Sequence, residues 1–365
     1  MGGPTAAVAG AKAGHRERRL GVLVVGDETV ASTRFRVLAH RDALAAAGYR
    51  VEVAFQRPRP ASRLLRAPLR LIDELRDLRR HRGADLLLVH RRCYPPRLAR
   101  VLARRGAPVV FDVDDALYLP SPAEPQTASA RGRYRRNFDA TAAAAELVLC
   151  GNAEIAGEVA HERTEILPTA VDCDRFRPEA LAGGGEGAGV GWVGHSSNIG
   201  YLEALAEPLR ELAVRRPDFR LIVFADEKPR LEGVPMEFRR WSLAAELDGF
   251  RDMKVGLMPL VDDAWTRAKC AFKLLQYMAL GLPAVASPVG MNRQVVQDGH
   301  NAVLASSGAE WVAALERLLV DAQLRRRLGE AGRETVVRKY SQPVIADRLV
   351  GTLDRVVAAN RERLS

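Results

Sequence analysis

Two lysines, Lys269 and Lys273, are candidate functional residues, because lysine is rare in this chain. It has only six lysines beside 49 arginines. They stand at the start of the apolar run FKLLQYMALG, which predicts a helix. The N-terminus of a helix offers free N–H groups and roughly 0.5 of a positive charge from its dipole. We therefore predict that Lys269 and Lys273 bind a diphosphate at this point.

Gln276 lies three residues after Lys273, so the two side chains fall on nearly one face of the predicted helix. The amide of Gln276 could hydrogen-bond a ribose or a sugar hydroxyl. Leu275, Met278 and Ala279 are expected to turn inward on the opposite face.

The loop GHSSNIG offers a second set of polar groups after the predicted strand VGWVG. Gly194 ends that strand, and His195 and Ser196 begin the loop. Backbone N–H groups, hydroxyls and an imidazole at a helix entrance can hold phosphate or sugar hydroxyls, although the serine and asparagine that follow could simply cap the helix. The letters GVGWVG match the dinucleotide pattern G-x-G-x-x-G only in spelling, because they form the strand rather than open a helix.

Three acids follow another predicted strand in the stretch FDVDDALY: Asp112, Asp114 and Asp115. An Asp-x-Asp pair can carry a divalent metal together with a nucleotide sugar, and one carboxylate could instead act as a base or bind substrate hydroxyls. Turn formation and helix capping are the structural alternative. Three acids in four residues after a buried strand favour a functional role.

Basic groups follow two further predicted strands. Arg34 and Arg36 lie in ASTRFRV, just after the first strand, and His90 ends the strand ADLLLVH. The forked guanidinium group of arginine matches phosphate or carboxylate oxygens, so both arginines are candidate anion clamps. In a chain so rich in arginine, solvated surface positions are the alternative.

The elements that position these residues alternate between short β-branched runs and helical stretches, which predicts parallel sheets covered by helices. The alternation of strands and helices is interrupted at LAGGGEGAG and resumes after it, so we predict two doubly wound domains. The predicted parts are a flexible tail at 1–19, an N-terminal domain at 20–178, a Gly-rich linker at 179–189, a C-terminal domain at 190–340 and a helix at 341–365 that could cross back. Ligands are expected outside the carboxyl ends of the strands, in a cleft between the domains.

The composition is that of a soluble globular protein, with 47% hydrophobic and 27% charged residues. No uninterrupted apolar run reaches the roughly 18 residues that cross a bilayer. The formal net charge is +10, but aromatic residues are only 6% and do not alternate with the basic clusters, so nucleic acid is not an expected partner. The four cysteines lack a disulfide or metal spacing, which favours the reducing cytoplasm.

Residues 57–83 place leucines and an isoleucine among many arginines. A basic amphipathic helix of this kind could rest on the anionic inner surface of a membrane, although a solvated surface helix is the commoner interpretation.

The stretches KCAFKLLQYMALGLPAVASPVGMNRQVVQDGHNAVLA and ILPTAVDCDRF resemble segments of the retaining glycosyltransferases of family 4, and the resemblance covers nearly the whole chain beyond the tail. FDVDDALY and the FKLLQYMA-type helix are similar to a lysine-rich subgroup. The resemblance implies an α/β fold of the GT-B type, with two Rossmann-like domains facing a central cleft. It also implies a nucleotide-sugar donor on the C-terminal domain, a glycan, lipid-linked or small-molecule acceptor on the N-terminal domain, and no metal or cofactor.

The resemblance assigns roles to the candidate residues. Donor-binding residues are Gly194, His195, Ser196, Lys269, Phe272, Lys273, Leu274 and Gln276. Acceptor-side residues are Arg34, Arg36, His90, Asp112 and Asp115, and the catalytic residues are Lys273, Lys269 and Asp114.

Two departures from the family pattern change what is expected of this chain. The family's Glu-x7-Glu pattern aligns with Ala268 and Gln276, so both acids are missing, and the usual arginine and lysine after the first C-domain strand are replaced by His195 and Gly200. Lys269 and Lys273 would supply the missing cations. We expect a same-face attack, with the leaving phosphate taking the proton of the acceptor. A non-catalytic homologue that binds nucleotide sugars and a sugar-nucleotide epimerase with the same fold are the alternatives, and the oligomeric state stays open.

Overall fold

The structure is a computed structural model, and it describes residues 17–57, 63–181 and 188–365. Most of the predicted tail, the Gly-rich stretch 182–187 of the predicted linker and residues 58–62 of the basic segment lie outside the described residues.

The first domain is a six-stranded parallel sheet in the order β2-β1-β3-β4-β5-β6. Its strands are β1 Arg18–Val24, β2 Tyr49–Phe55, β3 Leu86–His90, β4 Val109–Val113, β5 Leu147–Cys150 and β6 Thr164–Ile166. Its helices are α1 Ala31–Arg36, α2 Arg41–Ala46, α3 Arg63–Arg80, α4 Pro96–Ala103, α5 Ala128–Ala143 and α6 Ala153–Glu158. Strands β3, β4 and β5 are buried along their whole length, because helices cover both faces of a parallel sheet.

The second domain repeats this plan with the order β12-β11-β10-β7-β8-β9. Its strands are β7 Ala188–Gly194, β8 Phe219–Ala225, β9 Met236–Arg240, β10 Val255–Met258, β11 Ala284–Ala286 and β12 Val303–Leu304. Its helices are α7 Ile199–Glu203, α8 Ala206–Arg215, α9 Ala264–Arg267, α10 Phe272–Ala279, α11 Met291–Val295, α12 Gly308–Val320 and α13 Ala322–Lys339.

Helix α14, Gln342–Leu364, follows the second domain in sequence but packs on the first. Ile345, Leu349 and Leu353 are buried in one cluster with Leu20 and Val22 of β1. The helix thus covers one face of the first sheet and completes its core.

The chain crosses between the domains a second time at the start of α14, and the two crossings are hydrogen-bonded to each other. The N–H of Val171 donates to the carbonyl of Tyr340 at 2.9 Å, and the N–H of Gln342 donates to the carbonyl of Val171 at 2.9 Å. This pairing fixes the two crossings to each other at one point.

The pattern of LAAELDGF, residues 243–250, predicts a helix, but no α-helix forms there and this prediction is wrong. Residues 243–247 form turns, followed by a short 3-10 helix at Asp248–Phe250. A glycine near the end of the stretch disfavours an α-helix. Glu246 also forms ion pairs with Arg34 and Arg175. The conformation of this segment is therefore determined by its contacts with the first domain.

No helix among the described residues is long and apolar enough to cross a membrane. Among the residues of α3 whose side chains the structure describes, the large apolar ones that are exposed are Leu69, Leu71 and Ile72.

Candidate functional site

Loops at the carboxyl edges of the two sheets contact each other, so these edges enclose the cleft. Asn152, which follows β5, donates its side-chain N–H to the carbonyls of Ala268 and Lys269 at 3.0 and 3.1 Å. The thiol of Cys270 donates to the carbonyl of Asp114 at 3.2 Å. The second sheet reverses its strand order between β7 and β10, and ligands of such sheets bind at the reversal point. The loop after β7 and the segment from β10 to α10 meet at this point.

Lys269 and Lys273 lie at the N-terminus of α10. Neither lysine makes an ion pair or a side-chain hydrogen bond within the described residues. Lys273 Nζ lies 5.6 Å from the centre of the Trp192 ring, and Lys269 Nζ lies 5.6 Å from that of Trp265 and 6.0 Å from that of Tyr201. Aromatic faces attract cations, so the two ammonium groups are held without being neutralised.

The charge on Lys273 is costly in this protein without a ligand. Burial, and then the nearby positive charge of Lys269, lower the pKa of Lys273 to about 7, while Asp115 opposes the shift. An anion bound beside Lys273 would reverse this effect, since an opposite charge favours the charged form of the lysine.

The helix α10 begins without a capping side chain. Its N-cap residue, Ala271, has a φ of 51°, in the left-handed region that residues with a Cβ rarely adopt. This conformation turns the chain between α9 and α10, so that Lys269 precedes the turn and Lys273 follows it. Strain of this kind persists where surrounding contacts impose it, and it is frequent at functional sites.

Trp192 forms an aromatic surface beside Lys273. It is buried, and a Cβ on Gly194 would lie 2.1 Å from its ring. Gly194 therefore has a packing role: the absence of a side chain leaves room for the ring.

His195 and Ser196 are held by Asp226, which directly follows β8. The carboxylate accepts hydrogen bonds from the N–H and the hydroxyl of Ser196 at 2.6 and 2.7 Å, and it lies 3.2 Å from Nε2 of His195. Burial would raise the pKa of Asp226, but its hydrogen bonds with Ser196 lower it instead. Both donor groups of Ser196 are thus occupied, whereas the imidazole of His195 is exposed.

Arg36, Asp112 and His90 form one buried cluster at the ends of α1, β4 and β3. Arg36 makes a bidentate ion pair with Asp112, and His90 Nδ1 lies 2.7 Å from the same carboxylate. Burial favours neutral groups here, but the pairing raises the pKa of Arg36 and lowers that of Asp112. The structure differs from the expectation of an open anion clamp, because these three side chains are paired with one another inside the domain.

Asp114 and Asp115 are closer to the cleft than Asp112 and share one cation, Arg91. Arg91 Nε lies 3.4 Å from Asp114 Oδ1, and its Nη2 lies 3.1 Å from Asp115 Oδ2. Asp114 Oδ1 is buried and accepts no hydrogen bond in the described part of the chain. Arg91 itself has a φ of 59°, which marks a second strained position at a strand end.

Arg34 also differs from the expectation of a free clamp. Its guanidinium group forms two hydrogen bonds, of 3.0 and 2.9 Å, with Glu246 of the second domain. Glu246 also pairs with Arg175 at 2.9 Å. Arg34 therefore connects the two domains, because its partner lies across the cleft.

Three predicted donor residues of α10 have side chains that the fold uses. The ring of Phe272 packs against Phe35 of the first domain at 4.4 Å between centroids. Leu274 is fully buried and Gln276 is only 5% exposed. At Phe272 and Leu274 the backbone N–H groups, rather than the side chains, are the parts that could meet a ligand.

Sequence reasoning missed Asp226, Trp192 and Glu246. Asp226 could have been found from the sequence, because it directly follows an apolar strand. The other candidate residues were chosen for the same reason, since they also follow predicted strands. Among the described residues, no group of three or more His, Cys, Asp or Glu side chains is arranged to hold a metal ion.

The chain is similar to known glycosyltransferases in one segment of its sequence and in its fold. Residues 188–321 match a family model described as glycosyl transferases group 1. No curated protein matches the chain in sequence.

Solved structures resemble the chain over most of its length. A sucrose-phosphate synthase from Thermosynechococcus elongatus is 16% identical, with a TM-score of 0.72 over 94% of this chain and 100% of that one. HepE from Anabaena, solved with UDP-glucose, is 13% identical, with a TM-score of 0.67 over 92% of this chain and 99% of that one. WaaG, a glycosyltransferase involved in lipopolysaccharide biosynthesis, is 15% identical, with a TM-score of 0.67 over 91% of this chain and 98% of that one.

These comparisons confirm the predicted fold. The chain has the GT-B fold, and the part of it that carries Lys269 and Lys273 matches the group 1 glycosyltransferases.

Proposed function

We propose that this protein transfers a sugar from a nucleotide-sugar donor to an acceptor hydroxyl with retention of configuration. The observation that carries the proposal is the pair of lysines at the uncapped start of α10, which have no counter-ion among the described residues. They stand where the strand order of the second sheet reverses, which is the expected place for a diphosphate.

The nucleotide we propose is a uridine diphosphate. HepE, which shares the fold, has been solved with UDP and with UDP-glucose. The identity of the sugar is left to experiment.

The reaction requires the bond between the sugar C1 and the phosphate oxygen to break, which places negative charge on the leaving diphosphate. Lys269, Lys273 and the N–H groups of α10 would stabilise that charge. Removing one such group from a preorganised site typically costs about 10²–10³ in kcat. Closure of the domains would exclude the water that hydrolyses the donor.

The acceptor hydroxyl would attack C1 on the face that the phosphate leaves, and its proton would pass to the leaving phosphate oxygen. This route suits the chain because Ala268, at the position of the family's first acid, has no carboxylate that could form a covalent intermediate. Asp114, the carboxylate assigned to catalysis, would contact the acceptor hydroxyl, since its Oδ1 accepts no hydrogen bond among the described residues.

The first test combines thermal shift with nucleotide release for a panel of UDP-, GDP- and ADP-sugars. We expect stabilisation by one UDP-sugar and slow hydrolysis without acceptor, both lost in Lys273→Ala and retained in Lys339→Ala, which removes an exposed lysine. Stabilisation without turnover, even with an acceptor panel, would favour the non-catalytic homologue, and the absence of any response would refute donor binding. The anomeric configuration of a transferred product, read by NMR, would test retention.

The proposal extends to peripheral contact of α3 with an anionic membrane, supported by its exposed apolar residues Leu69, Leu71 and Ile72. Co-sedimentation with phosphatidylglycerol vesicles should be weaker for Ile72→Asp than for the native protein. Equal binding of the two would contradict this contact.

A further inference from the structure

A cavity of about 330 Å³ lies between the domains and contains none of the predicted donor residues. Tyr118 and Leu119, from the loop after β4, form one side. Helix α5 contributes Arg131 and Gly132, and Ala264, the first residue of α9, contributes the wall from the second domain.

Gly132 lines this cavity from the interior of α5, where glycine weakens a helix relative to alanine. Its φ is not in the left-handed region. A Cβ at this position would meet no atom within 4 Å. Neither backbone conformation nor packing therefore requires glycine here, and the visible effect of the missing side chain is space in the cavity.

Arg131 supplies a positive charge to the same cavity. Its side chain makes no ion pair or hydrogen bond within the described residues. The other charged lining groups, Arg135 and Glu158, pair with each other at 3.0 Å, and Arg135 also pairs with Asp139 at 2.9 Å. Of the charged lining groups, Arg131 is thus the one without a counter-ion in the part of the chain that the structure describes.

Two lining residues of the cavity, Tyr118 and Ala264, lie close in sequence to residues near the lysine site, one from each domain. Tyr118 lies three residues after Asp115, and the charge of Asp115 reaches the phenol of Tyr118, whose pKa is raised by burial first and then by Glu158 and Asp115. Ala264 precedes Trp265, whose ring lies 5.6 Å from Lys269 Nζ. An occupant of the cavity would therefore lie next to a donor held by the lysines.

We propose that this cavity is the acceptor subsite and that it binds a sugar carrying a phosphate group, with Arg131 on the phosphate and Gly132 leaving room for the ring. Helix α5 carries arginines at 131, 133, 135 and 136, so its field favours a multiply charged group such as phosphate. The assignment rests on the glycosyl transfer proposed above.

The test titrates the full-length protein, saturated with UDP to occupy the donor site, with glucose 1-phosphate and with uncharged methyl glucoside. We expect saturable binding of the phosphate and at least about tenfold weaker binding of the uncharged sugar. Arg131→Ala and Gly132→Leu should each weaken binding of the phosphate about tenfold or more, since a charge-assisted contact or the space itself is lost. Arg133→Ala, a neighbour that does not line the cavity, should stay within about twofold of the native affinity.

A second arm separates a free sugar phosphate from a lipid-linked one, using phosphatidylcholine vesicles that contain polyprenyl-phosphate glucose. Binding of either probe that the variants weaken supports the site. The probe that binds shows whether the natural ligand is a free sugar phosphate or a lipid-linked one. No saturable binding of either probe, equal losses in Arg131→Ala and Arg133→Ala, or an unaffected Gly132→Leu would overturn it.

The UDP-induced thermal shift, measured in the same variants, separates this inference from the proposed function. If UDP binds all variants but neither probe binds, the cavity assignment alone fails. If the probe binds but no nucleotide does, glycosyl transfer and the acceptor role fail, and a phosphosugar site remains.

Discussion

Lys273 is the residue whose ionisation should be most visible in binding. Its pKa of about 7 in the free protein means that donor binding above this pH must take up a proton. We expect the affinity for a UDP-sugar, which has no phosphate titrating in this range, to be flat below pH 7 and to fall by up to about tenfold per pH unit above it. Calorimetric titration from pH 6 to 9 measures this dependence.

Lys273→Met should bind weakly at every pH and lose the slope, while Lys339→Met should keep it. In the free protein, unfolding takes up a proton between the folded pKa of about 7 and the ordinary value of 10.5. The free energy of unfolding of the native chain should therefore rise with pH across this window relative to Lys273→Met. A slope shared by both variants would assign the titration to another group.

Asp226 should act on donor binding by positioning the loop that contains His195 and Ser196. Removing its carboxylate in Asp226→Ala leaves two donor groups of Ser196 unpaired, and we expect the donor affinity to fall about tenfold. Asp226→Asn, which still accepts one of these bonds, should lose less. Asp218→Ala, at the opposite end of β8, serves as the control, and calorimetry showing native affinity for Asp226→Ala would contradict this role.

At the scale of elements, the turn that begins α10 limits which side chain position 271 can carry. Ala271→Val places a β-branched side chain in a buried, left-handed position, and we expect a loss of about 2–4 kcal/mol in the free energy of unfolding. Ala271→Gly relieves the backbone and loses one methyl group, so it should change stability by no more than about 1 kcal/mol. Urea unfolding distinguishes these outcomes, and a valine variant of native stability would show that the turn is not strained.

The sequence allowed the strands to be predicted where burial alone determines them. The runs at β3, β4 and β7 are apolar because helices cover both sides, and each was placed correctly. The helix predicted at 243–250 failed because its course depends on Arg34, which lies about 200 residues away in the chain. The pairs Asp226 with Ser196 and Arg36 with Asp112 were missed for the same reason: sheet order decides which strand ends become neighbours, and local patterns do not contain that order.

On the scale of the whole molecule, the ion pair between Arg34 and Glu246 connects the two domains, in addition to the backbone pairing of Val171 with Tyr340. Glu246→Gln should favour open arrangements and weaken donor binding about five- to tenfold, because the closed state is less populated. Small-angle scattering should show a larger radius of gyration that the donor restores.

Arg41→Ala, which removes an exposed arginine of α2, provides the matched control for this change. If Glu246→Gln scatters and binds like that control, the ion pair does not set the domain arrangement.

Helix α14 has a consequence for the order in which the protein can be made. The first sheet is fully translated when residue 166 leaves the ribosome, yet Ile345, Leu349 and Leu353, which cover one of its faces, are translated much later. At about 5–20 residues per second, the nascent first domain would wait roughly 10–40 s with that apolar face uncovered. During synthesis, therefore, the second domain has time to fold before the first is finished, and the uncovered sheet is the surface that a chaperone would meet.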